Sequence, residues 1–140
     1  MSPDPNANAE PEFTEVAVPL GVASSRESVV RFLVGELAYS CKLSAEQVER
    51  ITTQVMRREQ IGTTGIGGGV AVPHVVSEFV GDPVVIVGRL PISMDWQALD
   101  AEPVRMVCLL LAPRFPSGAG TRLRVQERLI RMIRNRTNRE

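Results

Sequence analysis

The sequence predicts a layered α/β domain, and three observations carry that prediction. Two stretches have apolar residues at helical spacing behind a serine cap. Short β-branched or wholly apolar runs follow them. Glycine- and proline-rich turns separate the two kinds of segment. At 140 residues the chain is one domain, long enough to bury about two thirds of its unfolded surface.

Met1 to about Glu12 is rich in Pro, Asn, Ala and acid and is read as a disordered tail, residues 1–12. Phe13 to Val18 alternates as a short strand. Ser24 with Glu27 reads as a capping box opening a helix that carries Val29, Val30, Leu33, Val34, Leu37 and Ala38. Ser44 with Gln47 repeats the device for a second helix, with Val48, Ile51, Val55 and Met56, running to about Glu59. Val70-Ala71-Val72 is a short buried strand. Pro83 to Leu90 is another, β-branched along most of its length. Met94 to Trp96 and Asp100 to Pro103 form a loop. Val104 to Leu111 is the most apolar run, and its two hydrophobic faces make it the central strand. Pro113, Pro116, Gly118 and Gly120 mark a further loop. Thr121 to about Asn135 is a last amphipathic helix, with Leu123, Leu129, Ile130 and Ile133 on its inner side.

Composition narrows the function. Sixteen basic and sixteen acidic side chains cancel, so nothing draws the whole chain to nucleic acid or to a membrane. Residues 121–140 hold seven arginines against two glutamates, which fits a solvated helix face or a dock for an acidic partner. Cys41 and Cys108 do not suggest a disulfide framework. Cys108 sits in an apolar run as a small hydrophobe, in keeping with a reduced, cytoplasmic setting. The N-terminus lacks the basic and apolar regions of a signal peptide, and no apolar stretch is long enough to insert in a bilayer. With a single histidine, and no His or Cys beside it at ligand spacing, no metal site and no cofactor are expected.

That histidine, His74, ends the most informative stretch of the chain. Five glycines fall within residues 62–69 (Gly62, Gly65, Gly67, Gly68 and Gly69), a loop able to bring backbone N–H groups near an anion or simply to turn the chain. Pro73 then stiffens the end of the Val70–Val72 strand, where His74 is presented. A neutral imidazole is a nucleophile, so an anion-friendly loop beside it suggests phosphoryl chemistry. No Gly-Lys-Ser/Thr follows the glycines. The loop also runs from a helix into a strand, the reverse of a dinucleotide fingerprint.

The segment resembles the enzyme IIA domains of the bacterial sugar phosphotransferase system, fructose/mannitol type (type 2), including the nitrogen-regulatory branch. That signature runs Arg-Glu, two residues, Gly-Ser/Thr-Thr-Gly-Ile-Gly, one residue, Gly-Val/Ile-Ala-Ile/Val-Pro-His. Here it is matched by Arg58-Glu59, Gly62 to Gly67 and Gly69 to His74. Asp100-Ala101-Glu102-Pro103-Val104 stands where the family has Asp-Gly-x-Pro-Val, so Ala101 departs from it. The resemblance covers roughly residues 13–140. It implies a three-layer α/β/α sandwich with a mixed β-sheet.

It also implies a function. The histidine matching His74 is a catalytic phosphoacceptor, charged by a phosphorylated histidine carrier protein as donor. It passes the group to a permease IIB domain or acts on a regulatory target protein. Arg58 is a candidate phosphate ligand or else a helix C-terminal cation, and Thr64 a phosphate ligand or else a brace for the loop. Most members carry a second histidine, early in the last helix and followed by Leu. Arg122, before Leu123, stands in that place. A cation there would hold phosphoryl oxygens and keep His74 neutral, or the exchange marks a non-catalytic interaction module of the same fold. No permease domain lies in these 140 residues, which favours a stand-alone regulator. The family also continues past the equivalent of Glu140 with a short helix, without which an apolar strip would suit a partner or a homodimer.

Overall fold

The computed structural model describes residues 12–114 together with Glu127 and Arg131, with side chains from Thr14 onward. The tail expected over residues 1–12 therefore falls outside it except at Glu12, which already belongs to a strand. The loop expected after Arg114, Arg122 and all of the expected last helix but Glu127 and Arg131, both helical, also lie outside the described residues.

Over residues 12–114 the elements follow one another as β1 (Glu12–Ala17), α1 (Arg26–Leu37), α2 (Ala45–Ile61), β2 (Gly65–Gly67), β3 (Val70–Ala71), β4 (His74–Ser77), β5 (Val84–Met94) and β6 (Val104–Pro113). The six strands make one mixed sheet in the order β1-β5-β6-β3-β2, with β4 also pairing with β6. β1 runs parallel to β5, β5 antiparallel to β6, and β3 and β4 parallel to β6. As its apolar run predicts, β6 is central, and Leu109, Leu110 and Leu111 are all fully buried. Each contributes about 1.5–3 kcal/mol of hydrophobic free energy.

Buried apolar side chains stand on both faces of the sheet. Val84, Ile86, Val107, Leu109 and Leu111 point to the side where α1 and α2 lie, with Val29, Val30, Leu33, Val34, Ile51 and Val55 packed on them. Val85, Val87, Cys108 and Leu110 point the other way and are buried with Val70 and Val72. Neither cysteine forms a disulfide among the described residues.

Three local readings need correction. The first helix is capped by Ser25, not Ser24, and its box partner is Ser28 rather than Glu27. A serine at the third helical position closes the box because its hydroxyl accepts from Ser25 N at 3.1 Å and donates to the Val22 carbonyl of the preceding turn. The second cap, Ser44 with Gln47, is as predicted. The β5 strand runs on past Leu90 to Met94, with its register against β6 shifting between Arg89 and Met94. Pro91 lies in that shift, where the N–H it lacks is not required of the ladder.

The third correction bears on His74. It opens β4 rather than ending a strand. Val70 pairs with Met106 and His74 with Leu110, so β3 and β4 keep one register along β6. They are a single line interrupted at Val72-Pro73, where the imino acid offers no amide.

Candidate functional site

The helix α2 buries Ile51, Val55 and Glu59, spaced four apart on one stripe. The first two are ordinary core residues; the third is a carboxylate whose side chain is 1% exposed. A buried carboxylate must be supplied with donors. Trp96 Nε1 donates to its Oε1 at 2.9 Å, and the Thr64 amide donates to the same oxygen at 2.8 Å. The Thr64 hydroxyl donates to Oε2 at 2.6 Å. Thr63 Oγ1 reaches Oε1 at 3.4 Å, and the Arg26 guanidinium stands 3.9 Å away. Glu59 thus ties the end of α2, the start of the glycine segment and the Trp96 loop to one point.

From there a chain of hydrogen bonds leads to the histidine. The Val72 amide donates to the Thr64 carbonyl at 2.9 Å. The Val72 carbonyl lies 2.9 Å from His74 Nδ1. A carbonyl only accepts, so Nδ1 carries the proton and the lone pair of the neutral ring is on Nε2. The interruption at Pro73 makes this possible. Gly69 and Pro73 turn their carbonyls to β6, accepting from Met106 N at 3.1 Å and Leu110 N at 2.9 Å. Val72, out of phase with them, turns its own groups the other way. β2 begins only at Gly65, opposite Ala71, and the Thr64 amide goes to Glu59 rather than to that carbonyl. His74 is half-buried.

At its tip the glycine segment takes a conformation that side chains resist. Gly67, Gly68 and Gly69 have φ of 99°, 67° and 82°. The anion that its amides meet is the protein's own: Gly68 N donates to Asp100 Oδ2 at 3.1 Å. The other oxygen of Asp100 accepts from Glu102 N at 3.0 Å. These two amides, Glu102 first, hold the Asp100 carboxyl below its ordinary range. A side chain at Gly65 would strike the Ala98 backbone, its Cβ falling 2.8 Å from Ala98 Cα. The 65–69 and 96–102 segments are therefore in close contact. Leu99 N donates to Gly65 O at 3.1 Å.

The sequence-predicted site residues take up distinct places. His74 sits at the junction just described. Arg58 lies in the last turn of α2 and donates from its NH1 nitrogen to Gly62 O at 2.9 Å, closing the helix C-terminus. The Thr64 hydroxyl donates to Glu59 Oε2 at 2.6 Å, a bond that braces the start of the glycine segment. Arg122 lies outside the described residues. Glu59 and Trp96 were not singled out from the sequence as site residues. For Glu59 a signal existed: a carboxylate in phase with Ile51 and Val55 on an apolar helix stripe. For Trp96 none did, because it joins Glu59 across 37 residues. No cluster of three or more His, Cys, Asp or Glu suited to a metal ion occurs among the described residues. No helix among them is long and apolar enough to cross a membrane.

Comparison with known proteins gives a consistent picture. The phosphoenolpyruvate-dependent sugar phosphotransferase system EIIA 2 family matches residues 13–140. The nitrogen regulatory protein of Bradyrhizobium diazoefficiens is 30% identical over 122 residues, 86% of this chain and 76% of that protein. The 2-O-alpha-mannosyl-D-glycerate-specific EIIABC component of Escherichia coli is 36% identical over 99 residues, 70% of this chain but 14% of that protein. Among solved structures, nitrogen regulatory protein IIA-Ntr from Neisseria meningitidis superimposes with a TM-score of 0.67. It is 25% identical, over 84% of this chain and 73% of its own. The Escherichia coli mannitol enzyme IIA, solved in complex with phosphorylated enzyme IIB, gives 0.60 at 18% identity, over 84% and 78% of the two chains. By its sequence over residues 13–140 and by its mixed α/β fold, the chain belongs to the type 2 enzyme IIA family of the sugar phosphotransferase system, whose members are phosphotransferase components.

Proposed function

We propose that the protein is a histidine phosphocarrier, with His74 Nε2 the atom that takes the phosphoryl group from a phosphorylated histidine carrier protein. The observation that carries this reading is the 2.9 Å contact between His74 Nδ1 and the Val72 carbonyl, which puts the nucleophilic lone pair on Nε2. In the transfer that pair forms the new N–P bond. The P–N bond to the donor imidazole breaks, and the donor nitrogen keeps its electrons. The ring of phosphorylated His74 still holds its Nδ1 proton against the Val72 carbonyl, which stabilises the positive charge the ring gains.

The phosphoryl oxygens need donors outside this pair. Arg58 uses NH1 on Gly62 O and has further N–H groups for phosphate. Arg122 supplies a second cation where the family has its second histidine. Thr64 acts from behind the loop. The likeness to the Bradyrhizobium nitrogen regulatory protein, over 76% of that protein, favours a regulatory carrier in the cytoplasm acting on a target protein. A permease IIB domain is the other acceptor, a reading drawn from the mannitol complex.

Incubation with a phosphorylated carrier protein should give an acid-labile, base-stable adduct at His74, absent in His74→Ala. Arg122→Ala should slow transfer about ten- to a hundredfold, as loss of one charge-assisted contact worth roughly 1.5–3 kcal/mol would. It should also move the His74 titration to higher pH. Labelling that survives His74→Ala would overturn the assignment. No labelling of the wild type would leave the chain as a non-catalytic interaction module, a reading its lack of a second histidine allows.

A further inference from the structure

Glu59 has no counterpart among the groups that phosphoryl transfer requires, yet among the described residues it is a buried carboxylate fully supplied with donors. Its two oxygens take the Thr64 amide, the Thr64 hydroxyl and the Trp96 indole N–H at 2.6–2.9 Å. Thr64 in turn holds Val72 through its carbonyl, and Val72 holds His74 Nδ1. We propose that Glu59 is a positioning residue for His74: through Thr64 and Val72 it fixes which ring nitrogen carries the proton, and so which one attacks phosphorus. The proposal rests on the phosphocarrier reading for its consequence, but its structural content stands apart from that reading.

The physical case is one of competing supports. On its β6 side the His74 segment is held by ladder bonds, among them Leu110 N to Pro73 O. Those bonds fix the backbone line but not the ring, because they do not involve Val72. The Val72 carbonyl is positioned from the other side, by the bond of its own amide to Thr64 O, and Thr64 is clamped by Glu59. If the clamp opens, Thr64 drifts and Val72 loses that restraint. The ring then has no fixed acceptor at Nδ1 and can exchange its proton to Nε2, which blocks the nucleophile. The carboxylate does not touch the ring. Its effect is therefore geometric, and an amide of the same shape should serve. In Glu59→Gln the carbonyl oxygen can still accept from Trp96 and the Thr64 amide, while the NH2 group donates to the Thr64 hydroxyl.

The single histidine of the chain makes the test direct. Imidazole ¹⁵N shifts of the intact protein report the tautomer, and transfer from a phosphorylated carrier protein reports the rate. The wild type should show the Nδ1–H form. Glu59→Ala should show a mixture of tautomers and a rate at least about tenfold lower, with Glu59→Gln restoring both to within about threefold. Should Glu59→Ala not fold, Thr64→Val carries the same test: it removes the hydroxyl link while keeping the Thr64 amide and carbonyl. It should give a partial mixture and a rate about threefold lower. A folded Glu59→Ala, or failing that Thr64→Val, with the wild-type imidazole spectrum would overturn the proposal. So would a Glu59→Gln as impaired as Glu59→Ala, since charge rather than position would then matter. If the wild type takes no phosphoryl group, the phosphocarrier reading fails while the tautomer comparison still decides this one.

Discussion

Two carboxylates hold the glycine-rich segment, one near each end, and they do so under different conditions. Glu59 meets Thr64 at the entry to the segment, from inside the protein, and joins it to Trp96. Asp100 meets Gly68 at the tip, in an exposed loop, and otherwise serves its own turn through Glu102. Both replace the anion that such a loop invites with one supplied by the chain itself. The lesson is that a glycine loop rich in amides need not be waiting for a ligand. Its amides can be spent on internal acids, so that the loop acts as a scaffold for a neighbouring imidazole. Burial then decides how much each acid matters.

The largest effect should come from Glu59→Ala. It strands at least two buried donors, the Thr64 amide and the Trp96 indole N–H. At about 1–3 kcal/mol each, the loss is roughly 2–6 kcal/mol, a large share of the stability of a domain this size. Denaturant unfolding followed by Trp96 fluorescence, from the only tryptophan, measures it. A loss below about 1 kcal/mol would mean that water satisfies those donors and that the asymmetry between the two acids is not real.

Asp100→Asn should be far milder and should show itself in pH dependence. The amides of Glu102 and Gly68 lower the Asp100 pKa in the folded protein. What it contributes is therefore complete above its unfolded value, about 3.9. It is lost as pH falls through the lower folded value. The midpoint of thermal unfolding should be higher for wild type than for Asp100→Asn near neutrality. The two curves should converge as the pH drops below about 4. Parallel curves across that window would show that the Gly68 and Glu102 contacts do not hold the charged form.

How much of this was legible in the sequence follows from the range of each interaction. Periodicity gave α1 and α2, the β5 and β6 strands and the central place of β6, because apolar spacing is read locally. The Ser44 cap was legible for the same reason, and the shift from Ser24 to Ser25 was a choice between adjacent serines with similar partners. The role of His74 as a candidate was legible from its motif. The division of one strand line into β3 and β4 was not, although Pro73 marked the place, because only pairing with β6 reveals a shared register. The carboxylate grips were not legible either. Glu59 reaches Trp96 across 37 residues and Asp100 reaches Gly68 across 32, and no local pattern encodes such pairings.

Ala101 gives the smallest expected effect, and the one with the opposite sign. It stands where the family motif has glycine, and its φ is +61°. An alanine in that left-handed region carries a cost of about 1–2 kcal/mol that glycine does not. Glycine returns about 0.4–1 kcal/mol of this by loosening the unfolded chain. The Cβ of Ala101 is on an exposed residue, so little packing is forfeited. The turn itself is set by Ala101 N donating to Ala98 O at 3.0 Å and Glu102 N to Asp100 Oδ1 at 3.0 Å, bonds that glycine keeps. Ala101→Gly should therefore stabilise by roughly 0.5–1 kcal/mol and raise the thermal midpoint by about 2–4 °C. It sharpens the comparison of the two acids as well. Relieving the turn beside Asp100 should leave the His74 imidazole spectrum unchanged, because the ring is positioned from Glu59 and not from the loop tip. A midpoint that falls would show that the chain has adapted its turn to alanine. A His74 spectrum that moves would show that the exposed acid steers the imidazole after all.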